Sequence, residues 1–246
     1  MSRSSHRVPT TVVDDLTSGL AEAGGLLLGG NPEVWEIIHL SLRVSLIATT
    51  IALFLGVPAG AGLALARFPG RSMVVGAVYA GMGLPPIVAG LLVSLLLWRN
   101  GPFGATGLLF TPTAMIVAQA LIATPIVAGL TLAAVSALDP RYRLQLLSLG
   151  AGRLQTIWWL LREARLPLIA AVIAGFGAVI SEVGAAMMVG GNIKGETRVL
   201  TTATVLEVSR GHFETAFALS FVLLALTYLV TMALTMLQRQ SIRARP

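Results

Sequence analysis

The chain has 246 residues, 55% of them hydrophobic and only 11% charged, with a mean hydropathy of +0.83. A soluble domain carries about 25% charged residues, so a single water-soluble core is excluded and lipid is the expected solvent. The net charge of +6 does not mark a nucleic-acid partner, because the basic residues lie in gaps between apolar runs rather than on one face.

The opening residues carry Arg3, His6 and Arg7 but no apolar run and small-residue cleavage site directly after them, so a cleaved signal peptide is not expected. Leu16 to Leu28 is too short an apolar run to cross a bilayer. It reads as an interfacial or packing helix, with an extra span as the alternative. Ile37 to Leu65 is the first span, about 29 residues, with Pro58, Gly56, Gly60 and Gly62 suggesting a bend or close helix packing. Met73 to Trp98 is the second, interrupted between Gly81 and Pro86. Thr111 to Leu138 is the third, Leu166 to Val189 the fourth and Phe217 to Leu237 the fifth. The expected fold is therefore an all-α integral membrane protein with about five core transmembrane helices. Its parts are an N-terminal extracytoplasmic or interfacial segment (1–35), a membrane domain (36–238) and a short C-terminal tail (239–246).

Basic residues orient the spans. One set of connections holds Arg67, Arg71, Arg141, Arg143, Arg153, Arg162, Arg165, Arg239, Arg243 and Arg245. In the opposite set, Arg3, Arg7, Arg99, Lys194, Arg198 and Arg210 are diluted by seven carboxylates, Glu33, Glu196 and Glu207 among them. The first set is expected to face the cytoplasm, with the C-terminus inside and the N-terminus outside.

The connection 139–165 is longer than two adjacent spans need, at about 27 residues. Its leucines, Ile157 and Trp158 recur at helical spacing, Gly150 and Gly152 mark a turn, and Asp139-Pro140 reads as a helix start. Two short amphipathic helices meeting at a glycine would form a partly apolar knob for a partner's groove. Helices lying on the membrane surface are the alternative.

This loop resembles that of binding-protein-dependent ABC transporter permeases. Their pattern is Glu-Ala-Ala, three residues, Gly, nine residues, then Ile-x-Leu-Pro. Laid on Gly150, it meets Leu144, Gln145 and Leu146 in place of Glu-Ala-Ala, then Leu160, Arg162 and Glu163 in place of Ile, Leu and Pro. A more specific block follows. Ser181-Glu182-Val183-Gly184, Gly190-Gly191-Asn192-Ile193 and Thr197-Arg198-Val199-Leu200-Thr201-Thr202 resemble the oxyanion branch of these permeases, and the tungstate form above the molybdate and sulfate forms. The resemblance runs from Leu42 to Leu234. It implies a homodimer, two ATPase subunits and an extracytoplasmic oxyanion-binding protein. It also makes 139–165 the coupling segment, with Leu144, Gly150, Leu154 and Trp158 meeting the ATPase.

A dianion pathway needs donors without a deep well. Gly190 to Thr202 offers glycine-rich backbone, Asn192, Thr197, Thr201 and Thr202, with Lys194 and Arg198 as attraction from outside. The residues alone leave it open whether this is an ordinary outer loop or a gate; the resemblance favours the gate. Arg43 and Glu182 are ionisable groups at membrane depth, expected either to pair or to face the pathway, with snorkelling as the alternative for Arg43. His39, one turn earlier, reads as interfacial. Gly175, Gly177, Gly184, Ala185 and Ala186 form a small-residue face for helix packing or pore lining. Met187 and Met188 read as apolar filler at a gate, and no metal site is expected.

No phosphate-binding loop is present, since Gly190, Gly191 and Lys194 have the wrong spacing, and no zinc-protease or hydrolase motif appears. The chain is expected to be a permease subunit without cofactor or catalytic residues, and ATP would be hydrolysed on another subunit. Import of tungstate leads; molybdate or sulfate import, a self-sufficient secondary transporter or channel, and a membrane scaffold are the alternatives.

Overall fold

In a computed structural model, residues 18–21, 23–25, 29 and 32–243 are described, and every regular element among them is helical. Arg3, Arg7, Arg245 and much of the Leu16 to Leu28 segment lie outside these residues. In chain order the helices are α1 (Pro32–Leu65), α2 (Arg71–Met82), α3 (Pro86–Leu97), a 3-10 turn (Gly104–Thr106), α4 (Pro112–Ser136), α5 (Pro140–Ser148), α6 (Arg153–Glu163), α7 (Arg165–Ile180), α8 (Gly184–Gly190), α9 (Leu200–Ser209) and α10 (Phe213–Arg243).

Among the described residues three helices are by themselves long and apolar enough to cross a membrane: α1, α4 and the Phe213–Met236 part of α10. The first expected span thus starts earlier, at Pro32, where Pro suits a first helical position and Glu33 faces the positive end of the dipole. Residues 32–35 consequently belong to the first long helix rather than to an N-terminal segment. The second expected span is not one rod. Gly83 ends α2, Pro85-Pro86 starts α3, and the two are bent by 102°. The fourth is also broken: α7 stops at Ile180 and α8 resumes at Gly184. No proline or glycine occupies Ser181, Glu182 or Val183, so this break has tertiary causes described below.

The longest seam joins α1 to α4. Ala48, Ala52, Gly56 and Gly60 recur every four residues and are all buried, so one stripe of α1 lies flat against α4. A Cβ on Gly56 would lie 2.9 Å from the Thr124 carbonyl oxygen and from Val127 Cβ; one on Gly60 would lie 2.8 Å from Thr131 Cβ. Both contacts advance in the same direction along the two chains, so α1 and α4 run parallel. Hydroxyls that would be costly in lipid fold back onto their own helices: Ser41 donates to the Ile37 carbonyl, Thr49 to Ser45 and Thr124 to Ala120.

Apolar clusters are strung along this seam. At one end Ala61, Ala134, Val135 and Ala164 pack together, and in the middle Ala52, Ala123, Val127 and Val179 do. At the other end α8 inserts Ala185, Ala186 and Val189 among Val44, Val93 and Met115. Gly90 of α3 makes room for α8, since a Cβ there would fall 2.7 Å from Ala185 Cα. A separate cluster ties Val34, Ile37 and Ile38 of α1 to Leu200 of α9 and Leu219 of α10. Ala23, in the described part of the early segment, packs into it.

Asp139 and Pro140 start α5, with the Asp139 carboxylate accepting from the Arg141 amide at 2.8 Å. Gly150, at φ 80°, turns the chain into α6. On the far side of that turn Gln155 reaches back to accept from the Gly152 amide at 2.9 Å.

Candidate anion gate at the α8–α9 turn

The segment between α8 and α9 is built from the backbone outward. Gly191 ends α8 at φ 70° and Asn192 follows at φ 53°, two successive left-handed residues that reverse the chain sharply. Glycine adopts this conformation freely, and asparagine is the other residue that tolerates it. Asn192 then fixes the turn with both ends of its amide: Nδ2 donates to the Thr202 carbonyl at 3.4 Å and Oδ1 accepts from Arg198 Nε at 3.3 Å.

Thr197 is fully buried. Its hydroxyl donates to the Gly190 carbonyl at 2.5 Å and accepts from the Ile193 amide at 2.9 Å, closing the turn upon itself. Thr202 is equally buried; its hydroxyl accepts from the Val199 amide at 3.1 Å and donates to the Val199 carbonyl at 3.0 Å. The first amide of α9, Leu200 N, donates to Ser41 Oγ of α1 at 2.8 Å. These hydroxyls therefore hold the turn's shape. They are already engaged in this conformation.

Thr201 crosses to the break in the fourth expected span, donating to the Glu182 carbonyl at 3.0 Å. The Glu182 carboxylate accepts from the Ala185 amide at 3.0 Å, at the start of α8, and Ser181 donates back to the Gly177 carbonyl at 2.8 Å. These contacts satisfy several of the polar groups that the interruption exposes, as a break in an apolar helix requires. Glu182 does not pair with Arg43. Arg43 instead stands on the exposed face of α1 in line with Trp35 and His39, while Ser41, Val44 and Ser45 form the buried face.

Lys194 and Arg198 also have a partner that sequence reasoning missed. Glu33, at the start of α1, meets Lys194 Nζ at 2.6 Å and Arg198 at 3.6 Å. Arg198 is mostly covered, with 14% of its side chain exposed, whereas Lys194 is 66% exposed. Beside them a cavity of about 380 Å³ is lined by Glu33, Lys194, Arg198, Glu207 and Arg210. Glu207 contacts Arg210 at 3.0 Å and His212 at 2.8 Å. Burial pushes its carboxyl up, but those two neighbours outweigh the burial and hold it below the usual carboxylate range. Asn192, Thr197, Arg198, Thr201, Thr202 and Glu182 are brought into one constellation; Arg43 is not.

The loop residues lie elsewhere. Leu154 is 82% exposed, and Leu144 and Trp158 are exposed with it around the Gly150 turn. They form an apolar surface that nothing among the described residues covers.

Residues 52–244 match the family described as binding-protein-dependent transport system inner membrane component. The chain is 39% identical over 225 residues to the tungstate uptake system permease protein TupB of Peptoclostridium acidaminophilum, covering 92% of this chain and 99% of that one. It is 39% identical over 196 residues to a probable anion ABC transporter permease protein of Haloferax volcanii, covering 78% and 84%. A chain of the MetNI methionine ABC transporter, solved in inward-facing conformations, superposes with a TM-score of 0.69 at 22% identity, over 86% of this chain and 99% of that chain. That likeness is one of fold.

Proposed function

The chain belongs to the family of inner membrane components of binding-protein-dependent transport systems, and on that premise we propose that it is the permease subunit of an ATP-driven importer of an oxyanion, tungstate before molybdate or sulfate. The single observation that carries the reading is its similarity, along nearly the whole chain, to a protein named as a tungstate uptake permease. The α8–α9 turn supports it chemically: a hydroxyl- and amide-rich turn with two adjacent cations suits passage of a dianion that must be admitted and then released.

In this reading two copies form the pathway, and an extracytoplasmic binding protein delivers the anion at the α8–α9 side. Two ATPase subunits grip the exposed surface of α5 and α6 through Leu144, Leu154 and Trp158, with Gly150 setting the angle between the helices. The C-terminus and the 139–165 segment face the cytoplasm. Glu33 shields Lys194 and Arg198 in the conformation described, and an arriving anion would compete with it for both. Arg43, exposed on α1, is retained as a pathway residue that would face a second copy across the shared route.

Uptake of labelled tungstate, molybdate and sulfate into cells carrying this permease with its ATPase and binding protein tests the reading. Tungstate accumulation that requires all three components is the expected result. Accumulation of none of the anions, or uptake by this chain without an ATPase, would overturn it.

A further inference from the structure

A cavity of about 310 Å³ lies at the opposite end of the molecule from the α8–α9 turn, between the end of α1 and the α5–α6 hairpin. Gly62, Leu65 and Ala66 wall it on the α1 side, Arg143 enters from α5, and Arg153 and Thr156 enter from the start of α6. No carboxylate is among its lining residues. Among the described residues neither Arg143 nor Arg153 makes an ion pair or a hydrogen bond through its side chain. Nearby arginines differ: Arg71 donates to the Leu63 carbonyl at 2.8 Å, and Arg162 sits 5.0 Å from the Trp159 ring centre.

Arg143 and Arg153 are both exposed, so water screens their mutual repulsion, but two guanidinium groups lining one cavity that holds no carboxylate still give it a positive field that favours an anion. Arg153 is the first residue of α6, so the positive end of that helix adds to the same field. The cations share the cavity with Leu147, one turn after Arg143, which is itself 46% exposed. Arg143 and Arg153 line the cavity, while Leu144 and Leu154, each one residue further on, are turned by about 100° around their helices and are 64% and 82% exposed.

We propose that this cavity binds a single tetrahedral oxyanion group, a phosphate or its chemical equivalent, held between Arg143 and Arg153. Guanidinium is suited to this through its planar, paired N–H donors. The group is either a free anion or the phosphate of an anionic lipid, since the end of α1 lies where a membrane-spanning helix meets the headgroups. Occupancy would bridge α5 to α6 across Gly150 and hold both beside α1, fixing the angle of the hairpin. Its placement on the cytoplasmic side rests on the orientation proposed above; the binding itself does not.

The test uses the full chain in detergent, without ATPase or transport, so that its result is separate from the uptake assay. Binding of radiolabelled inorganic phosphate and the rise in melting temperature are measured at constant ionic strength against chloride. In a second arm the melting temperature is compared in nanodiscs of phosphatidylglycerol and of phosphatidylcholine. The expected result is saturable stabilisation in one arm, which identifies the source, lost in the R143Q/R153Q double variant and retained in R141Q. Each single Gln variant should raise the half-saturating phosphate concentration on the order of tenfold. Gly62→Leu, which fills the recess where a Cβ has nothing within 4 Å, should block binding with both arginines intact. No response in either arm, or a response undiminished in R143Q/R153Q and in Gly62→Leu, would overturn the site. So would loss of ATPase co-purification in R143Q/R153Q with the anion response unchanged, which would assign the arginines to the partner protein.

Discussion

The Thr201 hydroxyl donates to the Glu182 main-chain carbonyl at 3.0 Å, joining the first turn of α9 to the point where the fourth expected span breaks. Replacing Thr201 by Val keeps the volume and leaves that carbonyl unpaired. Tungstate uptake should fall severalfold while the permease still assembles with its ATPase, and Thr201→Ser should restore most of it. Uptake in Thr201→Val equal to wild type would show that the link has no part in transport.

Asn192 combines a left-handed backbone with two side-chain contacts. Asn192→Gly keeps the backbone permissive and removes the contacts; Asn192→Val removes the contacts and also strains the left-handed backbone. Thermal unfolding should rank wild type above Gly and Gly above Val, with Val lower than Gly by about 1–2 kcal/mol from backbone strain. Uptake should be impaired in both variants, because both free Arg198 from Asn192.

Thr197 gives a sharper stability test. Its buried hydroxyl serves one carbonyl and one amide, so Thr197→Val leaves two main-chain groups unsatisfied, at a cost of about 1–3 kcal/mol for each. Thr197→Ser should be close to wild type. Thr131 is the converse: fully buried on α4, its hydroxyl has no partner among the described residues. Thr131→Val should leave the melting temperature unchanged or raise it by the equivalent of about 1 kcal/mol. A marked loss would reveal a partner for that hydroxyl in the assembled complex.

Glu207 sets an acid limit. Its folded carboxyl titrates below the ordinary value of 4.5, so its contribution to stability is complete above that value and is lost as pH falls through the lower, folded one. Melting temperatures of wild type and Glu207→Gln should differ at neutral pH and converge as the pH drops below about 4.5. A difference that stays constant down the acid limb would assign the effect to packing alone.

Much of the architecture could be read in advance. Long apolar runs announced α1, α4 and α10, and Asp139-Pro140 with Gly150 announced the α5–α6 hairpin, because caps and turn residues act locally. Pro85-Pro86 signalled an interruption but not the 102° bend, which depends on how α2 and α3 pack against α4. The break at Ser181 to Val183 carries no proline or glycine; its one local mark is Glu182, whose carboxylate accepts from the Ala185 amide, and Thr201 supplies the long-range contact. Glu33 as shared partner of Lys194 and Arg198 was equally hidden, since 161 positions separate it from Lys194. Arg43 and Glu182 stay apart because Arg43 stands on the exposed face of α1, not on the stripe that packs inward.

Gly60 and Gly56 have a mechanical consequence. With Thr131 Cβ and the Thr124 carbonyl already at contact distance from where a single extra carbon would sit, Gly60→Val should prevent the two rods from meeting, whereas Gly62→Ala, facing open space, should be silent in melting experiments. A seam that tight has no clearance for sliding or rolling. α1 and α4 must therefore travel as one stiff beam, and any rocking that opens and closes a route has to occur at the looser joints around it.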